Sequence, residues 1–259
     1  MPTATLSDGL EVHYEDHDFS DPSRTPETII LQHGTAKNAR LWYRWVPLLA
    51  NAFRVVRPDL RGHGESSVPE AGFAWSHEQF ARDLAQLMDH LEIERAHLIG
   101  ETMGGTIALQ FALDYPARVS TLTVCSSVIN CRDVPVYWDM YEQVKTQGVE
   151  AWVRSQGAAY NRPEWYMQEM MRTDQRVLME LLAYITTVDL TPRLAEIPTP
   201  ALALTGALAR QAEGVRAIAH GLPNGHYAEV PGVAGYVQAE APEACVALWR
   251  QFAEPYLCP

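Results

Sequence analysis

The chain has 259 residues, of which 47% are apolar and 20% charged, with a formal net charge of −12. That length suits one large domain with a core that needs no disulfide or metal staples. The acidic surface repels phosphate backbones and anionic lipid, which argues against nucleic-acid and membrane partners. Cys125, Cys131, Cys245 and Cys258 form no CxxC pair and no zinc pattern. His13 and His17 are four apart, but on a hairpin and the loop expected after it, so no metal is expected. Nearly all basic residues are Arg. Only Lys37 and Lys145 are lysines, and this preference for Arg reads as coding bias rather than chemistry. No basic leader and no apolar run long enough to span a bilayer is present, so a cytoplasmic protein, monomer or homodimer, is expected.

In chain order, Thr3–Ser7 and Leu10–Tyr14 alternate about Asp8-Gly9 and predict a hairpin. Glu27–Gln32 and Phe53–Val56 read as strands, with a helical stripe over Leu41–Ala50 between them. Ser76–Ile93 carries Phe80, Leu84, Leu87, Met88 and Leu91 on one helical face, and Ser76 with Gln79 resembles a capping box. Ala96–Ile99 is a strand, Gly100–Gly105 a tight turn, Thr106–Tyr115 a helix and Val119–Val128 a strand. Ala201–Thr205 and Tyr227–Val230 are further strands; Val215–His220 and Ala241–Phe252 are helices. Strands alternating with helices over short links predict a mostly parallel eight-stranded sheet with helices on both faces.

Residues 129–189 interrupt this alternation, with helical stretches and no convincing strand. They hold five of the eight methionines and many aromatics, and are expected to form a helical cap over a core of residues 1–128 and 190–259. Trp138, Tyr141, Trp165, Met167 and Met170 are candidates to line a pocket for an apolar ligand, because Met adapts to irregular ligand shapes. Tyr236 is a further candidate.

Three segments are more specific. Leu31-Gln-His-Gly34 follows one strand, Arg57-Pro-Asp-Leu-Arg-Gly-His-Gly-Glu-Ser66 the next, and Leu98-Ile-Gly-Glu-Thr-Met-Gly-Gly105 joins a strand to a helix. In this order they resemble the α/β-hydrolase superfamily, especially small esterases and enol-lactonases. The resemblance runs from the first hairpin to the last helix. It implies an α/β-hydrolase fold with a nucleophile elbow at residue 102 and an oxyanion hole formed by the backbone N–H groups of Thr35 and Met103. It also implies that His33 and His63 brace loops and that Glu101 points under the elbow in a structural hydrogen-bond role, although His33 and Glu101 are also candidates for proton transfer alongside Thr102.

The departures from the family pattern carry equal weight. The family places Ser, Asp and His where this chain has Thr102, Ala209 and Gly235. Losing the base or nucleophile of such a triad costs ~10⁴ to ~10⁶ in rate. The resemblance and the departures together imply a hydrolase scaffold turned to cofactor-independent, non-hydrolytic chemistry: a lyase, isomerase, decarboxylase or cyclase acting on an apolar, aromatic or polyketide-like molecule. The alternatives are a binding protein that keeps only the pocket, and a weak esterase or lactonase using Thr102. Gly100-Glu-Thr-Met-Gly-Gly lacks the dinucleotide fingerprint, so no nucleotide cofactor is expected.

Overall fold

A computed structural model describes residues 2–132, 134–160 (the last two by backbone only) and 162–258. The strands are β1 Thr3–Thr5, β2 Glu11–His17, β3 Thr28–Gln32, β4 Arg54–Pro58, β5 Ala96–Glu101, β6 Val119–Cys125, β7 Ala201–Gly206 and β8 Gly225–Val230. They form one sheet in the order β1-β2-β4-β3-β5-β6-β7-β8. Only the β1–β2 and β2–β4 pairings are antiparallel. The parallel strands β3, β5 and β7 are buried along their whole length, as expected for strands covered on both faces.

The helices are α1 Val46–Leu49, α2 His77–His90, α3 Met103–Asp114, α4 Pro135–Tyr160, α5 Glu164–Met171, α6 Gln175–Ile185, α7 Ala212–Gly221, α8 Val237–Glu240 and α9 Pro242–Ala253. One apolar cluster joins β3, β5 and β6 to α2, α3 and α7 through residues such as Ile30, Leu98, Leu87, Phe111 and Ile218. A second joins the sheet to α1 and α9 through Ile29, Leu31, Trp45 and Trp249. The eight-stranded sheet with helices on both faces is therefore the one the motifs imply.

Three local differences have physical causes. The stripe over Leu41–Ala50 is split into a 3-10 turn at Ala39–Trp42 and the short α1, which carries Pro47 in its first turn. Strand β2 runs on to His17, so that residue pairs in the sheet instead of lying in a loop. Strand β6 stops at Cys125 because Ser126 adopts φ +50°, which ends an extended run. The predicted cap at Ser76 is present: its hydroxyl accepts from the Gln79 N–H at 3.0 Å. Gln79 itself turns away and donates to Asp83, so the reciprocal half of a capping box does not form.

Helices α4, α5 and α6 follow one another between β6 and β7, with α4 interrupted at Gly148. The two ends of this segment are tied together. Leu190 N–H donates to Ile129 O and Cys131 N–H to Val188 O, both at 2.9 Å. Among the described residues no helix is long and apolar enough to cross a membrane.

Candidate active site

The site is centred on the β5–α3 turn in the middle of the sheet. Thr102 holds φ +49° and ψ −118°, a strained conformation for a β-branched residue, worth roughly 1–3 kcal/mol. Its N–H donates to Cys125 O at 3.0 Å, fixing the turn against β6. Gly104 allows the helix start to approach β3. A Cβ there would lie 2.3 Å from Gln32 O. Gly34 is equally constrained, since its Cβ would meet the Thr102 hydroxyl at 2.0 Å.

Beside the elbow lies a buried ion pair that sequence reasoning did not find. Lys37 Nζ donates to Glu101 Oε1 at 2.8 Å and Oε2 at 2.6 Å, and makes a longer contact with Thr102 Oγ1 at 3.4 Å. Both side chains are almost fully enclosed. The three N–H groups of the ammonium thus have three oxygen acceptors. Glu101 also accepts from Gly34 N–H at 2.6 Å and from Gln238 Nε2 at 2.9 Å. This carboxylate is saturated with donors and does not line the cavity described below. Its observed partners are Lys37, Gly34 and Gln238. One of only two lysines in the chain thus meets the elbow hydroxyl.

His33 is likewise a brace. Its Nδ1–H donates to Gly34 O at 2.8 Å, and its Nε2 accepts from Leu60 N–H at 2.9 Å. Burial, together with the nearby His63 and Lys37, holds its pKa well below the usual histidine value. Both nitrogens are committed to backbone, which leaves none for a ligand. His63 bonds Arg61 O through Nδ1 at 3.1 Å, and burial lowers its pKa to about 4.

A cavity of about 230 Å³ opens over the elbow. Thr35, Lys37, Thr102 and Met103 form its floor, and Tyr137, Met140, Trp152, Arg162 and Met170 come from the segment between β6 and β7. The Thr35 hydroxyl donates to Met103 Sδ at 3.1 Å, so the two expected oxyanion-hole residues are neighbours. Neither backbone N–H donates to any described group. Gly235, at the position of the family's histidine, also lines the cavity. Ala209, at the position of the acid, is buried but does not line it. No Asp or Glu lines it among the described residues.

Of the six candidate lining residues, Met170 and Tyr236 line this cavity. The Tyr236 ring lies between two cations, with Lys37 Nζ 4.5 Å and Arg162 Cζ 4.4 Å from its centroid. The other four candidates lie elsewhere. Trp138 is 47% exposed on the outer side of α4, and Tyr141 lies beside Lys145. Met167 packs on Gly157. Trp165 meets Tyr43 edge-on at 5.1 Å and lines a smaller cavity of about 130 Å³, which shares Arg162 and Tyr236 as its wall with the first.

His77 is a lining residue that sequence reasoning missed. Tyr184 in α6 donates its hydroxyl to His77 Nδ1 at 2.6 Å, His77 Nε2–H donates to Thr106 Oγ1 at 2.7 Å, and the Thr106 hydroxyl donates to Met103 O at 2.8 Å. This chain ties α6 to the elbow helix. Burial lowers the His77 pKa to about 4, so the ring is neutral at pH 7. Among the described residues no group of three His, Cys, Asp or Glu is arranged to hold a metal ion.

Residues 27–183 match the family model described as the alpha/beta hydrolase fold. The chain is 28% identical over 245 residues to a putative carbamate hydrolase RutD of Variovorax paradoxus (strain S110), covering 85% of this chain and 90% of the relative. It is 31% identical over 195 residues to a protein of the same name in Pantoea ananatis (strain LMG 20103), covering 69% and 70%. Among solved structures, an enol-lactonase from Burkholderia xenovorans LB400 superposes with a TM-score of 0.86 at 23% identity, over 98% of this chain and 100% of that one. A thermophilic esterase from Thermogutta terrifontis gives 0.84 at 25% identity, over 98% of each. Sheet order, elbow geometry and these matches agree: the chain belongs to the alpha/beta hydrolase fold family.

Proposed function

We propose that this protein is a cofactor-independent enzyme of non-hydrolytic type that stabilises an oxyanion on an apolar, aromatic or polyketide-like small molecule. The observation that carries this reading is the 3.4 Å contact between Lys37 Nζ and Thr102 Oγ1. A hydrolytic elbow needs a base that takes the hydroxyl proton. Here the neighbour is an ammonium, ion-paired with Glu101, which can only donate. Donation into the hydroxyl lone pair makes its O–H a stronger donor and its oxygen a weaker nucleophile. Thr102 O–H and the Thr35 and Met103 amides then supply three donors for a carbonyl oxygen that becomes negative.

The polar lining is rich in donors, and its one imidazole is engaged on both nitrogens. This favours reactions in which the substrate brings its own electron pair, such as decarboxylation of a 3-oxo acid or a ring closure. In the first case the bond to the carboxylate breaks and CO₂ leaves. The electron pair moves onto the carbonyl oxygen as an enolate, and water later returns a proton to carbon.

The test uses 3-oxo-3-phenylpropanoate and phenyl acetate side by side. The expected result is CO₂ release above the spontaneous rate, abolished in Thr102→Val, with no hydrolysis of the ester. Ester hydrolysis that depends on Thr102 would instead support a weak esterase, a reading favoured by the names of the relatives. Binding with neither conversion would support a pocket-only protein.

A further inference from the structure

The cavity over the elbow ends against the second, smaller cavity, and Tyr236 and Arg162 are the only described residues that line both. Beyond them the second cavity, of about 130 Å³, is walled mainly by Leu41, Tyr43, Pro163, Trp165, Tyr166 and Ala239. Tyr43 and Trp165 are exposed and Tyr166 is buried, so this space runs from the surface inward to the Tyr236 ring. The boundary is held firmly. Tyr236 O accepts from the N–H groups of Ala239 and Glu240 at 2.9 and 3.0 Å, which fixes it at the start of α8. Two residues on, Gln238 donates to Glu101 at 2.9 Å, and its carbonyl accepts from the Trp45 indole N–H at 2.8 Å. The Tyr236 ring centroid lies 4.5 Å from Lys37 Nζ, itself held by Glu101, and 4.4 Å from Arg162 Cζ. Gly235 beside it adds no side chain, so the bulk that this stretch places in the cavity wall is the Tyr236 ring.

We propose that Tyr236 sets the length of ligand that the protein accepts: its ring closes the elbow cavity on the α8 side and shuts an apolar extension off from it. The ligand class that fits is a compact carbonyl compound without a long apolar tail on that side. The proposal rests on the reading of the cavity over Thr102 as the ligand site, and not on the type of reaction. Without the ring, an apolar tail could pass from the elbow into space lined largely by carbon, where each buried methylene contributes about fourfold in affinity. With the ring in place, a tail that reaches it must displace the side chain and its contacts with two cations, so the gain from added methylenes ends there.

The test measures binding of 1-phenylalkanones, from acetophenone to octanophenone, by quenching of tryptophan fluorescence, with Trp152 in the cavity wall as reporter. In the wild type, affinity is expected to rise from acetophenone and to stop rising before octanophenone. In Tyr236→Ala the rise is expected to continue, so that octanophenone binds at least ~10-fold more tightly than to the wild type while acetophenone changes by less than ~2-fold. Tyr236→Phe keeps the ring and is expected to keep the wild-type limit. Adding Ala239→Phe to Tyr236→Ala refills the second cavity and is expected to cancel the gain. Tyr236→Leu takes the place of the alanine variant if that variant fails to fold. The same limit with and without the ring overturns the proposal. So does a wild-type affinity that rises through octanophenone, a limit lost in Tyr236→Phe, or a gain that survives Ala239→Phe. No binding of any ketone by the wild type overturns it together with the reading of the cavity as the ligand site. Failure of the proposed reaction appears separately, as absent turnover of 3-oxo-3-phenylpropanoate with the chain-length limit intact.

Discussion

Lys37 Nζ lies 3.4 Å from Thr102 Oγ1, so the hydroxyl at the nucleophile elbow has a cation beside it, while Gly235 stands at the position of the family's histidine. Restoring serine alone is therefore not expected to support hydrolysis. Thr102→Ser is expected to leave phenyl acetate turnover at background, because the missing base alone costs ~10⁴ or more. Adding Ala209→Asp and Gly235→His to that variant is expected to raise the rate by orders of magnitude. A steady-state assay of the single and triple variants checks both outcomes.

The ion pair that defines this environment is also a stability element. Lys37→Met leaves the Glu101 carboxylate buried without its charge partner, and is expected to destabilise the fold by roughly 3–5 kcal/mol. Removing both charges, as in Lys37→Met with Glu101→Gln, is expected to recover most of that loss. Urea unfolding of the two singles and the double supplies the cycle.

The elbow itself stores strain. Thr102→Gly at φ +49° is expected to stabilise the protein by about 1 kcal/mol while removing the hydroxyl from the site. A higher urea midpoint accompanied by lost activity would show a residue kept for its chemistry at a cost in stability.

Acid should loosen the molecule before most carboxylates titrate. Burial holds His63 and His77 at about 4, against an ordinary value of 6.5. Between these values the unfolded chain binds protons that the folded chain refuses. Stability is therefore full above about pH 6.5 and declines as pH falls toward 4, by up to ~1.4 kcal/mol per pH unit for each histidine. For His77, protonation also takes the Nδ1 acceptor from Tyr184 and so weakens the tie between α6 and the elbow helix. Melting temperature against pH should slope across this window, and the slope should shrink in His77→Gln.

The alternation of strands and turns made the sheet and the Ser76 cap legible, because each depends on neighbours in sequence, and the family resemblance of Leu98–Gly105 implied the elbow. The Lys37–Glu101 pair was not legible, since its members are 64 residues apart and only the scarcity of lysine marked one of them. The aromatics of residues 129–189 failed for a different reason. Val136, Tyr137 and Met140 line the cavity, whereas Trp138 and Tyr141, one residue further along in each case, are turned about 100° around α4. Composition named the right helix but could not phase it. Gly148, with φ +86°, then resets the phase before Trp152. For Glu101 the sequence offers a structural hydrogen-bond role or a candidate acid, and only the fold brings Gly34, Lys37 and Gln238 around it.

The most direct measurement is the intact mass of the wild-type protein after prolonged exposure to a fluorophosphonate, which reports whether Thr102 can attack. A hydroxyl held by an ammonium, with Gly235 in place of the base, is expected to leave the mass unchanged while Thr102→Val abolishes CO₂ release from 3-oxo-3-phenylpropanoate. A phosphonyl adduct located on Thr102 would contradict the account.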